Sequence, residues 1–195
     1  MVNHVSRAGL VACALLLQGC FVAENDDADP IIPADSIAYP LKTGPARECQ
    51  DGGECKRAEI VRLAGGYELR TWNAGDGADA EPSVQSYRLR AMKGGGIPAN
   101  TYLAQSIRDN AEERTLGLMA RRSDGGWEQL SPQCESLRPD AFVAFINDGW
   151  LRTDDEQLDS MRCEIRRDGL TDDRLYTIFE AVKKSSSPTV IYEGE

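Results

Sequence analysis

The chain has 195 residues, 41% of them hydrophobic, a size that suits one domain around a single core. Its 22 basic and 32 acidic residues leave a net charge of −10, which opposes nucleic-acid binding and any electrostatic pull toward anionic lipid. The one histidine, His4, stands in the N-terminal segment. The rest of the chain is therefore denied Ser-His-Asp and Cys-His nucleophilic schemes, histidine acid–base catalysis and the usual zinc or copper ligand sets.

Residues 1–7 are polar and carry one arginine, Arg7, and residues 8–17 are ten apolar or small residues without charge. That run has the length of a signal-peptide apolar region, whereas a membrane-spanning helix needs roughly 20 apolar residues. The small pair Ala12 and Ala14, which an ordinary signal peptidase would want, lies inside the run. Leu17-Gln18-Gly19-Cys20 instead resembles the lipobox of bacterial lipoprotein precursors, with leucine at −3, a small residue at −1 and cysteine at +1. The resemblance covers the first twenty residues only. It implies cleavage between Gly19 and Cys20, a thioether-linked diacylglycerol on Cys20 and an acyl chain on its amine. Stable anchoring takes more than one chain, at about 0.8 kcal/mol per buried CH₂. Phe21 replaces the aspartate that marks inner-membrane retention in enteric bacteria, so the expected place is the outer membrane. The body then faces the periplasm, with the cell surface as the alternative.

Cleavage would remove Arg7 from the 22 basic residues, leaving 21 against 32 acidic ones, a net charge of −11. It would also remove His4 and Cys13. With Cys20 acylated, Cys49, Cys55, Cys134 and Cys163 remain, an even number that reads as two disulfides in an oxidising compartment. Three connectivities exist. Pairing of neighbours is expected, Cys49 with Cys55 and Cys134 with Cys163, the second worth about 3 kcal/mol through loop closure. A four-thiolate zinc site is disfavoured by the lack of a Cys-x-x-Cys pair.

Residues 20–47 are acidic and rich in proline, with Glu24, Asp26, Asp27, Asp29 and Asp35, and read as an acylated tether. Ile31-Ile32 and Tyr39-Pro40-Leu41 are the parts able to dock as extended chain. Residues 48–195 form the expected domain. Strands are predicted over 58–63 and 67–72 around Gly65-Gly66, over 84–92 and 101–107, and over 116–121 and 127–130 around Ser123-Asp124-Gly125-Gly126. Turns at such short spacing imply an antiparallel meander that curls into a twisted sheet or small barrel. Residues 142–146 fit a strand or a buried helix. Thr153-Asp154-Asp155-Glu156 is a capping box, and Leu158, Met161 and Ile165 predict a helix stopped by Gly169. A second helix is predicted from Thr171, with Leu175, Ile178, Phe179 and Val182 at helical spacing, and residues 189–192 read as a closing strand. Strands first and helices later make an α+β fold, here stabilised by disulfides.

Chemistry-bearing signals are few. The loop from Asn73 to Asp79 partly resembles a calcium-binding turn, but such turns work in stacked rows and this one stands alone, so a solvated hairpin loop is the better reading. Gly94-Gly95-Gly96 lacks the lysine and helix start of a phosphate loop and reads as a turn. Asp154-Asp155 and Asp172-Asp173 sit where helix starts favour acids. Trp72, Trp127 and Trp150, with Tyr67, Tyr87 and Tyr102, would line a groove on the sheet or, more ordinarily, fill its core. No catalytic residue, cofactor or metal site is expected. The resulting expectation is a non-enzymatic binding or envelope-assembly module whose partners are the membrane, through its lipid, and an envelope protein or glycan. The alternative is a carboxylate-dependent hydrolase of envelope polysaccharide, which would show two facing acids in a deep cleft.

Overall fold

Eight antiparallel strands close into a barrel, and a second layer of two helices and a small sheet is packed on one side of its wall. The computed structural model describes residues 21–23, 31–50, 53–73, 75–77, 79–107, 115–153, 163–183 and 188–194. In chain order the elements are β1 (Phe21–Ala23), β2 (Gly44–Gln50), β3 (Cys55–Leu63), β4 (Gly66–Trp72), β5 (Ser83–Ala91), β6 (Thr101–Ile107), β7 (Leu116–Arg121), β8 (Trp127–Leu130), α1 (Pro139–Asn147), β9 (Leu151–Thr153), β10 (Cys163–Ile165), α2 (Asp172–Lys183) and β11 (Thr189–Glu193). Short 3₁₀ turns occupy Ala34–Ser36 and Cys134–Ser136.

β2 to β8 run as a meander, and β11 inserts between β8 and β2 to complete the ring. The register places Ile191 opposite both Glu48 and Trp127. The hairpin between β3 and β4 turns at Gly66, whose φ is +144°. A Cβ there would lie 2.3 Å from the Tyr87 carbonyl oxygen, so only glycine fits. Alternate residues of each strand point inward (Ala58, Ile60, Tyr67, Leu69, Leu89, Met119 and Ile191 among them) and fill the barrel with side chains. A second core lies outside the wall of β6, β7 and β8. There Leu103, Leu116, Leu118 and Leu130 meet Leu175, Ile178, Phe179 and Val182 of α2. The small sheet, in the order β1-β10-β9, adds Phe21, Ile165 and Leu151 to this core.

One end of the barrel is stoppered by residues 38–42. The Ala38 N–H donates to the Leu89 carbonyl at 2.7 Å, the Tyr39 hydroxyl to the Ala64 carbonyl at 2.8 Å, and the Leu41 N–H to the Tyr67 hydroxyl at 3.0 Å. Glu193 of β11 ties this plug to the wall. Its Oε1 accepts from the Lys42 N–H at 2.8 Å and the Trp127 indole at 2.9 Å, while Oε2 meets Arg121 at 3.1 Å. Its side chain is only 7% exposed, so these three donors replace the water it has lost.

The tether expected over 20–47 is corrected by this arrangement. Gly44–Gln50 is a barrel strand, Ile32 is buried in the outer core and Leu41 in the barrel, and Phe21–Ala23 is buried as well. Composition understated the segment because four large apolar side chains (Phe21, Val22, Ile32 and Leu41) all find pockets, and the barrel offers backbone partners. Residues 24–30 lie outside the described residues, as do Gly19 and Cys20. The helix expected from Thr153 is corrected as well. Thr153 ends β9 and Cys163–Ile165 is β10, held between Phe21 and Thr153 by pairing and to Cys134 by a disulfide; residues 154–162, with Asp154-Asp155, lie outside the described residues. Among the described residues two helices follow the meander, the first being α1, where Pro139 fixes the first turn. The closing strand and the second helix stand as expected.

Both disulfides join neighbours. Cys49–Cys55 clips the β2–β3 hairpin across a pair of facing residues, and Cys134–Cys163 fastens the 3₁₀ turn before α1 to the small sheet. With its ends 29 positions apart against 6, the second bridge restricts the unfolded chain more. Replacing Cys134 and Cys163 together by alanine is expected to lower stability by roughly 3–4 kcal/mol in denaturant melts, against about 2 kcal/mol for the Cys49–Cys55 pair. Glu193→Gln should cost about 2 kcal/mol in the same assay, because Arg121 loses its charged partner and Oε2 becomes a donor facing a donor.

Candidate functional site

Helix α2 begins with a carboxylate that accepts three hydrogen bonds from the barrel side. Asp172 takes a bidentate contact from Arg90 of β5, at 3.1 and 2.6 Å, and the Lys93 N–H at 2.8 Å. Burial acts to raise the Asp172 carboxyl, but the Arg90 hydrogen bonds, the Lys93 N–H and the two cationic charges outweigh it and hold it below the usual range. The Gly94-Gly95-Gly96 turn is pressed against the same helix start: a Cβ on Gly94 would lie 2.1 Å from an Asp173 side-chain oxygen. The anion beside this glycine turn is thus the protein's own Asp172-Asp173.

Clamped there, α2 lays Leu175, Ile178, Phe179 and Val182 on the barrel wall and leaves Tyr176, Glu180 and Lys183 along its flank. Between that flank and the outer faces of β6, β7 and β8 runs a groove of about 290 Å³. Leu118, Ala120 and Leu130 supply apolar surface, and Pro98 and Ala99 border it. Thr101, 3% exposed, also lines it, and its Oγ1 has no hydrogen-bond partner among the described residues. Lys183 forms an ion pair with Glu128 of β8. Burial acts to lower the Lys183 ammonium, but the Glu128 hydrogen bond and the charges of Glu128 and Glu180 raise it above its ordinary value. Burial and the neighbouring Glu180 raise the Tyr176 phenol. The groove therefore presents an apolar surface, an aromatic hydroxyl and a fixed pair of opposite charges, with the Thr101 hydroxyl buried in its wall.

A second concavity, of about 360 Å³, opens at the barrel end opposite the plug, lined by Glu48, Gln50, Glu54, Cys55, Lys56 and Thr189. Glu48 sits across from Lys56 in the β2–β3 ladder. Burial raises its carboxyl and the Lys56 charge opposes this, burial being the larger effect. Deeper in the barrel the Tyr87 hydroxyl is buried with no hydrogen-bond partner among the described residues, and its phenol is pushed up by burial and by the Glu48 charge.

The six aromatics singled out by sequence do not share a groove. Tyr67, Tyr87, Tyr102 and Trp127 belong to the barrel core, Tyr102 and Trp127 meeting edge-on at 5.8 Å. Trp72 donates to the Ala80 carbonyl under Arg57, and Trp150 stacks on Phe145 at 5.3 Å with Arg174 over it. In the Asn73–Asp79 loop, Asp76 accepts the Asn73 N–H at 2.6 Å, a turn contact; residues 74 and 78 lie outside the described residues. Among the described residues no group of three or more His, Cys, Asp and Glu side chains could hold a metal ion. Sequence reasoning missed the groove because its residues come from β6, β7, β8 and α2 and converge only after folding. The helical spacing of α2 identified its buried face, and Tyr176, Glu180 and Lys183 were legible as the remainder.

Comparison with protein-family models, with curated proteins and with solved structures finds no match.

The clamp that sets the groove is pH-sensitive in one direction. A carboxyl depressed on folding contributes stability that is complete above its unfolded pKa of 3.8 and is lost as the pH falls through the lower folded value. Wild type should therefore lose stability more steeply than Asp172→Asn below about pH 4. At neutral pH the substitution should cost about 2 kcal/mol by thermal or chemical unfolding.

Proposed function

We propose that this chain is a bacterial lipoprotein of the outer membrane, anchored through acylated Cys20 and facing the periplasm, whose barrel body is a non-enzymatic binding or assembly module for an envelope glycan. The lipobox supports the anchor. The groove between α2 and the barrel wall is the observation that carries the binding reading. An apolar surface beside a tyrosine suits one face of a sugar ring, and the Tyr176 hydroxyl with the Glu128–Lys183 pair offers donors and acceptors for its substituents. The two acids of the groove, Glu128 and Glu180, both act on the same ammonium, Lys183, rather than facing each other across a cleft, which favours binding over a two-carboxylate hydrolysis. The disulfides suit an oxidising compartment.

The test is an NMR titration of the acylated, detergent-solubilised protein with soluble fragments of cell-envelope glycan. Shifts are expected at Thr101, Tyr176 and Lys183, and Tyr176→Ala should weaken binding at least tenfold, about 1.4 kcal/mol. Shifts confined to other surfaces, no shifts at all, or cleavage of the fragments would each overturn the reading.

A further inference from the structure

The position of β1 bears on how such an anchored protein would meet its membrane, and the argument rests on the lipid-anchor reading above. β1 starts at Phe21, the residue directly after Cys20. Phe21 is fully buried; it pairs with Cys163 and packs edge-on against Phe179 with ring centroids 6.3 Å apart. Val22 bridges to Thr115 at the start of the barrel wall. Neighbouring Cα atoms across a trans peptide are about 3.8 Å apart, so a lipid on Cys20 would be joined to the packed body with no intervening spacer.

The chain leading into α1 is tied to that point through the Cys134–Cys163 bridge. Cys163, the partner of Phe21, is bridged to Cys134 with a Cα separation of 5.6 Å, and α1 begins five residues later at Pro139. From its other end the chain returns through β9 to the same small sheet. Outward from α1 point Val143, 54% exposed, and Ala144, with Phe142 and Ile146 half-buried at the flanks. The other exposed large apolar side chains among the described residues, Leu63 and Val84, are on barrel strands. Arg138 at the start of α1 and Arg152 in β9 are exposed on the same layer, Arg138 in an ion pair with Asp140. The chain's negative charge supplies no long-range attraction to anionic lipid, so such a contact would depend on the anchor and on apolar surface.

We propose that the bilayer surface covers the face where β1 begins and contacts α1, so that the body is seated flush on the membrane rather than held away on a stalk. The test is hydrogen exchange on the acylated protein in phospholipid vesicles, compared with a variant carrying 20 Gly/Ser residues between Cys20 and Phe21. Flush seating predicts at least threefold slower exchange over residues 138–147 in the native protein than in the spacer variant, with the barrel strands exchanging alike in both. Equal exchange over α1 in two acylated, vesicle-bound proteins would overturn the seating while leaving the anchor intact. The mass of the N-terminal peptide is read from the same samples, and a Cys20 without diacylglycerol would overturn the anchor and the seating together.

Discussion

A single carboxylate ties three parts of the chain together at the barrel's closing strand. Glu193 sits on the strand that completes the barrel, and it gathers the indole of Trp127 from β8, the guanidinium of Arg121 from β7 and the backbone of Lys42 from the plug. Each of these groups would be expensive to leave unpaired at a nearly closed barrel end, and one acceptor serves all three. The aromatic contacts follow from it: Arg121 lies over Trp127 at 4.8 Å, and Trp127 meets Tyr102. Closure in turn leaves the barrel without a free edge, so the exposed rim is made of loops rather than of strands open to pairing.

The wall of β6, β7 and β8 is the shared floor of the molecule. Its inner residues fill the barrel and its outer residues receive α2 and the small sheet. In β7, Leu116, Gly117, Leu118 and Met119 are therefore all buried, and the strand reads as a continuous apolar run. The groove exists because the coverage is incomplete. Helix α2 reaches the wall with one face and stands off it along Tyr176, Glu180 and Lys183, where Glu128 meets the ammonium instead of a packed apolar side chain. Polar groups that would be costly in the middle of the interface are affordable at its open border.

Most of the barrel was legible because alternation and turn residues are local signals. Strands β3 to β8 and β11 were each bounded by glycine, proline or aspartate-rich turns, and α2 by its apolar spacing. What escaped depends on partners distant in sequence. β2 is Gly-Pro-Ala-Arg-Glu-Cys-Gln, weak in strand formers, and becomes a strand because β3 and β11 both lack a neighbour without it. Leu158, Met161 and Ile165 have helical spacing, yet Ile165 is buried in β10 because the Cys134–Cys163 bond and the edge of β1 fix the chain there. The groove was out of reach for the same reason. No short window contains both Thr101 and Lys183, and the loop signals that could be read, the glycine turn at 94–96 and the acids at 172–173, proved to be partners of one another.

The placement of β11 between β8 and β2 also governs when this fold can form. Residues 44–50 must wait for residues 189–193 before their second edge is satisfied, a separation that spans nearly the whole barrel. While a ribosome still holds the downstream segment, the meander has two bare edges and an unsealed interior, a state prone to wrong pairings. A chain of this topology takes its final shape only once the last strand of its barrel is free to join the first.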